Sequence, residues 1–559
     1  MSRLTLSDEV RAKQGPKAPW IAVAGGALLL ISGLLSWSYD DTILGDISIR
    51  FYPAGIQVYV MLQGLLALIL AVLLLRRPAW LSPARGLRIL GITSVVFVVW
   101  VLASVAYQSG GLININEGGW IALVGAVLTA CAGFLSPEVE IDVMRWPRLS
   151  STLEILIIVV LMAVLLFTVA YTLAIQDGVI FASFLVALIG MAGGLLGTGF
   201  GGYLGFIGQN NRRPLLLAAF LVAFLFPFTQ NGSDANMSIA TQILIFAATA
   251  LGLNIVVGLA GLLDLGYIAF LGTGAYVGAM LSESTFATIG WKPPFALVML
   301  IGAATAACFG LIIGSPTLRV SGDYLAIVTL GFGEIFRLTM FNLDGNNGPD
   351  LTNGPNGIPA IPDLAILGYD FGDVHTIAGI PLGRFSNYYF LLLFLLMFVI
   401  LVFTRLNNSR IGRGWVAIRE DERAAEAMGV NVFGLKLLAF AVGAFLAGLA
   451  GTIKAHQDTS VTPDQYVFLE SAFLLSAVVL GGMGTVLGVL VGATILKLLP
   501  EKLREVNDYR LLMFGLLLVV MMRFRPEGLV PSKRRQLEFH EEDTELVELL
   551  QAEHLQEAK

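Results

Sequence analysis

Long apolar segments run through almost the whole of this sequence, and they restrict its fold more than any other feature. A helix crosses a bilayer core of about 30 Å with about 20 apolar residues, and lipid offers no partners for free backbone groups. Only 13% of the 559 residues are charged, against about 25% in soluble domains. These features exclude a water-soluble enzyme, a secreted disulfide scaffold and a disordered protein. They predict an all-α polytopic membrane protein.

Sixteen segments are candidate membrane spans, some of them short. The sixteen are Trp20–Trp37, Ile56–Leu75, Leu90–Tyr107, Trp120–Leu135, Thr152–Leu173, Val179–Ile207, Leu215–Phe228, Ile239–Leu262, Tyr267–Leu281, Phe295–Ile313, Tyr324–Phe341, Tyr388–Thr404, Leu435–Ile453, Phe468–Leu480, Val486–Leu499 and Leu511–Met522. The two segments around Gly481, Gly482 and Gly484 are either two spans or one broken helix, and the sequence leaves both open.

Arginine and lysine residues orient these spans, because cytoplasmic connections carry the positive charge. With sixteen crossings, the arginine-rich connections that begin at Arg76, Arg145, Arg212 and Arg405 and the basic segment after the last span fall on one side of the membrane together with the N-terminus. The opposite side carries acidic or polar connections, such as the long segment Leu343–Ser386. We therefore predict a multi-pass protein of the plasma (inner) membrane with both termini in the cytoplasm.

The sequence divides into four parts. We predict an N-terminal membrane extension of about six spans over residues 1–210 and a core over residues 211–532. A polar segment at residues 405–434 lies within the core on its cytoplasmic side. An acidic cytoplasmic tail follows at 533–559, where residues 536–559 hold eight of the 40 acidic side chains and only one lysine.

The sequence contains no motif for catalysis, metal binding or nucleotide binding. The glycine-dense stretches Gly193–Gly205 and Gly481–Gly488 lack the lysine of a phosphate-binding loop, and we interpret their glycines as sites of close helix packing. The four histidines are scattered. We predict that the chain binds no cofactor or metal, has no catalytic residue and cannot bind ATP through such a loop. No basic face suggests a nucleic acid partner.

Polar residues at membrane depth are the default functional candidates. Glu334 and Arg337 stand at i, i+3 on one predicted helix and can pair, and we favour a structural ion pair over a substrate contact. Asn254, Asp264 and Tyr267 flank a break between two spans. Interrupted helices bind polar ligands in transporters, but a tight turn with Asp264 capping the next helix is the alternative. Asn254, Asp264, Tyr267 and Glu334 are the substrate-path candidates.

Two polar connections also invite interpretation. Within residues 405–434, the composition predicts one helix from about Gly414 to Met428, ended by Gly429. Its apolar and charged faces favour docking into a partner, although a solvated connector is the alternative. The turn-rich run Asp344–Pro362 is either a structured cap on helix ends or a ligand contact.

Several motifs in the core resemble those of one known family, the branched-chain amino-acid ABC importer permeases. The similarity extends over roughly Leu215–Val530 and is greatest to the longer of the two permeases that such importers pair. The motifs are Leu251–Gly261, Leu265–Tyr276, Ser321–Glu334, Leu351–Ile358, Gly412–Gly429, Gly481–Thr485 and Phe524–Leu529.

This resemblance implies a type II-like ABC importer permease core that moves leucine-type amino acids into the cytoplasm by alternating access. It also implies a second homologous permease, two cytoplasmic ATPases that bind ATP–Mg, and an extracytoplasmic binding protein. It assigns ATPase coupling to ten residues of the polar segment. These are Arg419, Glu420, Asp421, Glu422, Arg423, Ala424, Ala425, Glu426, Ala427 and Met428. We expect neutralisation of Asp421 to have little effect and reversal of Arg419 and Arg423 to uncouple transport.

Three alternatives remain open. The same machinery also serves urea, short amides or other neutral amino acids. An ion-coupled secondary carrier would need a titratable relay in the membrane, for which only Glu334 and Asp264 qualify. A membrane receptor or scaffold would move no substrate. The six extra N-terminal spans exceed what the family is expected to have, and the resemblance assigns them no role.

Overall fold

A computed structural model describes most of the chain. The described residues are 15–38, 55–76, 78, 80–108, 110–137, 147, 149–175, 178–317, 323–346, 348–366, 368–377 and 379–502, with 512, 515–516, 519–520, 523 and 528–530 beyond them. The acidic tail predicted at 533–559 and most of the last predicted span, Leu511–Met522, lie outside these residues. The chain forms two compact units, Met1–Phe226 and Pro227–Lys559.

Fifteen of the sixteen predicted spans are helices in the described part of the chain. Thirteen helices there are long and apolar enough to cross a membrane. The other two are the short helix Ile268–Met280 and the helix Val486–Lys502, which has 17 residues. The sixteenth predicted span, Leu511–Met522, lies mostly outside the described residues and stays a prediction.

The first unit is a helical bundle. Its helices are α1 (Ala18–Ser32), α2 (Ile56–Arg76), α3 (Pro83–Gln108), α4 (Glu117–Leu135), α5 (Ser151–Ala174), α6 (Gly178–Leu195), α7 (Gly201–Asn210) and α8 (Arg212–Leu225). A π-helical turn, Leu196–Phe200, joins α6 to α7. The buried carboxylate of Glu154 on α5 accepts a hydrogen bond from the Asn211 amide at the start of α8. Helix α8 packs along α5, and the first unit ends at Phe226. The boundary predicted at residue 210 stays a prediction.

The second unit holds the predicted core. Its helices are α9 (Asp234–Asn254), α10 (Ile268–Met280), α11 (Phe295–Thr317), α12 (Asp323–Asn342), α13 (Arg384–Asn407), α14 (Arg410–Glu420), α15 (Glu422–Ala427), α16 (Val432–Asp458), α17 (Phe468–Gly481) and α18 (Val486–Lys502). A π-helical segment, Ile255–Leu259, continues α9. Helices α10, α11 and α16 form the most intimate packing of this unit. A Cβ on Gly274 of α10 would lie 2.1 Å from the carbonyl oxygen of Gly448 on α16, so only glycine permits this approach.

Helices α17 and α18 form an antiparallel hairpin. A Cβ built on Gly481 would lie 2.0 Å from the carbonyl oxygen of Gly488, and a turn with positive φ at Gly482 and Gly484 joins the helices. The alternative of one broken helix is therefore wrong. The prediction that glycines in this stretch serve close packing is confirmed.

The long connection between α12 and α13 is a structured cap. It contains two short antiparallel hairpins, β1–β2 (Ala365–Ile366 with Tyr369–Asp370) and β3–β4 (His375–Ile377 with Ile380–Leu382). The hydroxyl of Thr352 donates to the carbonyl of Met340 at 2.6 Å and so covers the end of α12. Of the two interpretations of Asp344–Pro362, these bonds favour the cap.

Candidate functional site

Helix α16 separates two functional regions of the second unit. It spans 27 residues, which is about 40 Å of helix. The polar segment 405–434 runs into the start of this helix, which begins at Val432. The cap connection meets its other end, where Ile358 and Val461 pair as an isolated β-bridge. The polar segment and the cap therefore lie at opposite ends of this helix.

The polar segment folds as two helices, α14 and α15, and not as the single helix predicted from Gly414 to Met428. The break is at Asp421, whose backbone is extended (φ −152°, ψ 107°). Its carboxylate accepts bonds from the backbone N–H groups of Arg423 (2.9 Å) and Ala424 (3.0 Å). Asp421 therefore caps α15, and composition missed the break because strong helix formers flank it on both sides.

Helix α14 is anchored in the unit, whereas α15 is presented outward. The buried indole of Trp415 donates to the carbonyl of Leu435 at 2.7 Å, and Ile418 and Ala425 are also buried. The carboxylate of Glu422 is held by Lys436 at 2.6 Å. Most of the ten predicted coupling residues remain exposed; these are Glu420, Asp421, Glu422, Arg423, Ala424, Glu426, Ala427 and Met428. The side chain of Met428 is 84% exposed.

Arg419 joins this presented surface to the broken helix α9. Its Nη1 donates to the carbonyl oxygen of Gly258 at 3.0 Å, while its Nε and Nη2 bind the carboxylate of Glu420. Gly258 belongs to the π-helical segment after α9. Backbone carbonyls near a helix end lack their usual intrahelical donors, so the guanidinium supplies a donor there.

Asn254 ties the same segment to the turn of the α17–α18 hairpin. Its buried side chain accepts from the N–H of Gly484 at 2.8 Å and donates to the carbonyl of Thr485 at 3.3 Å. The sequence placed Asn254 beside one helix break and the glycines beside another, 230 residues away. The structure joins the two breaks, so Arg419, Asn254 and the hairpin turn form one continuous network.

The other candidates at the break are held by the protein itself. The hydroxyl of Tyr267 donates to the carbonyl of Gly443 on α16 at 2.6 Å. Asp264 is buried, and its Oδ1 accepts from the N–H of Gly266 at 2.9 Å. The expected cap on α10 is wrong, because the first helical N–H, that of Ile268, bonds to the hydroxyl of Ser471 instead. Asp264 closes the turn before α10, and its substrate role stays a prediction.

Glu334 and Arg337 form the predicted ion pair on α12, at 2.6 Å. Arg337 also contacts Asp464 at 3.3 Å. The Glu334 side chain is 43% exposed. The pairing is confirmed, and a substrate contact of Glu334 stays a prediction.

Sequence analysis missed a charged cavity of about 260 Å³ near the end of α16 that meets the cap. Two ion pairs contribute to its wall: Lys454 with Asp458 on α16, and Lys497 of α18 with Glu470 of α17 at 3.1 Å. Its other lining residues are Gln242, Ile245, Phe246, Ile268, Leu271, Gln457 and Gln465. Each charged residue lies at or near the end of a predicted span, where charged residues are common. No local sequence pattern therefore indicates that the four lie together. Among the described residues, no three His, Cys, Asp or Glu side chains come together to hold a metal.

Comparison with known proteins places the core in a family context. A family model described as the permease component of branched-chain amino acid transport systems matches residues 236–522. This range lies inside the segment whose motifs resemble that family. No solved structure matches the chain.

Three relatives illustrate the range of similarity. The high-affinity branched-chain amino acid transport system permease protein LivM of Salmonella typhimurium is 41% identical over 345 residues, covering 59% of this chain and 78% of the relative. A second permease protein of such a system, the high-affinity branched-chain amino acid transport system permease protein LivH of Escherichia coli, is 24% identical, over 51% of this chain and 91% of the relative. The ribose import permease protein RbsC of Haemophilus influenzae is 28% identical, over 49% of this chain and 80% of the relative.

Proposed function

The chain belongs to the family of permease components of branched-chain amino acid transport systems, and we propose that it carries branched-chain amino acids into the cytoplasm as one permease of an ATP-driven importer. The family and the multi-pass helical architecture make it a transport subunit and not an enzyme. The 41% identity to LivM is the basis for the substrate class.

One contact carries the proposal that the transport is ATP-driven: the bond from Arg419 to the carbonyl of Gly258. It connects the end of α14, directly before the exposed helix α15, with the π-helical segment that follows the membrane helix α9. An ATPase that holds α15 would pull on the π-helical segment through this guanidinium, and Asn254 would pass the movement to the α17–α18 turn. Coupling in such a chain requires an element with two arrangements, and a π-helical segment at the end of a membrane helix is suited to that role.

The partners follow from the same assignment. Similarity to both LivM and LivH indicates a transport system with paired permeases. We place two ATPase subunits, which bind ATP–Mg, against α15 and its counterpart on the second permease. A substrate-binding protein would deliver the amino acid at the cap. This arrangement puts α14, α15 and both termini in the cytoplasm and needs no cofactor on this chain.

The test is leucine uptake by cells of the native host. We would delete the chain and complement the deletion with the wild-type chain or with Met428→Glu, which adds a charge to the exposed end of α15 without touching the buried core. Wild-type cells are expected to take up labelled leucine, with competition by isoleucine and valine, and Met428→Glu is expected to reduce the rate severalfold at equal membrane level.

The alternatives give different results in the same cells. Competition by urea or a short amide, and not by isoleucine, would assign the other substrates. Uptake that survives loss of cellular ATP but stops when ion gradients collapse would indicate a secondary carrier. No flux at all would leave a receptor or scaffold.

A further inference from the structure

We propose that the charged cavity at the end of α16 binds the zwitterionic backbone of the transported amino acid, with Lys497 holding its carboxylate and Glu470 its ammonium group. The inference rests on the proposed function for its substrate and goes beyond it by assigning a binding site. None of the substrate-path residues predicted from the sequence lines this cavity.

The charges of the cavity complement a zwitterion. Its wall carries two cations and two anions, so it is neutral as a whole, like the ligand. A zwitterion that enters between Lys497 and Glu470 replaces their one ion pair with two. Each charge then keeps a partner, whereas a buried charge without a partner would be costly. The Lys454–Asp458 pair lies within one helix at i, i+4, whereas the Lys497–Glu470 pair joins two helices. The second pair can therefore open when those helices separate.

Two glutamine side chains in the cavity wall have unsatisfied amide oxygens. Gln457 and Gln465 each have a buried Oε1 without a hydrogen-bond partner in the described part of the chain. Gln465 donates to the carbonyl of Ser460 at 3.5 Å, and Gln457 donates at 3.3 Å to a Thr241 hydroxyl whose own hydrogen is used on Ser238. Two acceptors without donors therefore belong to residues that line the cavity, and an ammonium group is rich in the N–H donors that they lack.

The remaining wall suits an aliphatic side chain. Ile245, Phe246, Ile268 and Leu271 line it and are all buried. At about 30 Å³ per water molecule, the volume equals that of roughly nine waters, which is more than enough room for a free amino acid such as leucine. The Lys497 ammonium lies 4.5 Å from the ring centroid of Phe246, so the cationic and apolar parts of the wall adjoin.

The position of the cavity fits a receiving site. It lies at the end of α16 that meets the cap, opposite to α15. Arg384 fixes this end by donating to the carbonyls of His456 and Gln457 while it pairs with Asp363. A rigid wall on the side away from the ATPases is where an importer would accept its substrate.

The first experiment compares uptake by charge variants in the deleted host. Lys497→Gln and Glu470→Gln are each expected to lower leucine uptake about tenfold, the loss expected for a charge-assisted hydrogen bond. The double variant K497E/E470K keeps an ion pair but exchanges the positions of its two charges. A purely structural pair would let this variant recover leucine uptake. A site that binds the carboxylate at position 497 and the ammonium group at position 470 predicts that uptake stays low. Lys292→Gln and Glu283→Gln, an interacting pair outside the cavity, are the matched controls and are expected to transport normally.

A second measurement avoids dependence on transport rates. Gln242→Cys places a thiol at the cavity in a chain whose two native cysteines, Cys131 and Cys308, are replaced by alanine. In membranes where this variant is assembled with its partner subunits, added leucine is expected to slow the reaction of a thiol reagent with this cysteine. Leucinamide, which lacks the carboxylate, and 4-methylpentanoate, which lacks the ammonium group, are expected not to slow it.

Two results would overturn the site while leaving the function intact: full rescue by the exchanged pair, or no protection by leucine in membranes that import it. Failure of the wild-type chain to support leucine uptake would instead overturn the proposed function. The two failures are therefore distinguishable.

Discussion

The Nη1 nitrogen of Arg419 lies 3.0 Å from the carbonyl oxygen of Gly258, 161 residues away in sequence. This bond joins the end of the anchored helix α14, next to the exposed helix α15, to the π-helical segment that follows the buried helix α9. Because Asn254 binds the turn of the α17–α18 hairpin from the other side of that segment, a displacement of Arg419 acts on two helix breaks at once. Substitutions in this network and in the packing that supports it therefore have distinct, measurable effects.

Arg419→Gln is expected to reduce leucine uptake about tenfold, because it removes a charge-assisted bond to a backbone carbonyl. The ATPase activity of the assembled transporter is expected to persist, so the ratio of transport to hydrolysis falls. Arg413→Gln is the matched control, since Arg413 lies exposed on the same helix. Equal ratios in the two variants would refute the role of Arg419 in coupling.

Asp421→Ala is expected to loosen α15, whereas Asp421→Asn is expected to preserve it. The alanine variant loses both cap bonds, a loss of about 1 kcal/mol, and a helix of six residues has little stability of its own. Amide hydrogen exchange over residues 422–428 measures the difference, and uptake is expected to fall with it. Equal exchange in both variants would show that the cap bonds of Asp421 do not hold α15.

Asn254→Ala is expected to destabilise the second unit by about 1 kcal/mol, because the half-buried N–H of Gly484 loses its acceptor. A lower midpoint of thermal unfolding in detergent, together with lower uptake, would support this. Asn342→Ala is the control, as that amide bonds only within its own helix end at an exposed position. An unchanged midpoint for Asn254→Ala would show that the clamp contributes little.

Gly274→Ala is expected to prevent normal packing of α10 on α16, since its Cβ would lie 2.1 Å from a backbone oxygen. Gly331→Ala on α12 provides the comparison, because nothing lies within 4 Å of the position that its methyl group would take and alanine favours a helix by about 1 kcal/mol. Membrane levels and unfolding midpoints of the two variants separate the effects. Normal folding of Gly274→Ala would mean that the two helices can move apart without loss.

Much of the helical architecture was predictable, because hydropathy is a property of consecutive residues. Fifteen predicted spans are helices, and Glu334 finds Arg337 at i, i+3 because that spacing fixes their proximity within one helix. The break at Asp421 escaped prediction, since its cap geometry competes with strong local helix formers. The packing of α8 on α5 was also not predictable, because packing between helices is not encoded in the composition of either one.

The sequence by itself determined that the chain is a helical membrane protein, which segments span, and which family its motifs resemble. All of these depend on apolar length and local motifs. Only the tertiary structure decided that Arg419 meets Gly258, that Asn254 joins two distant breaks, and that Glu470, Lys497 and Asp458 share one cavity. The physical reason is that rotation and depth of each helix are set by its neighbours, through close glycine contacts and buried hydrogen bonds between residues far apart in the chain.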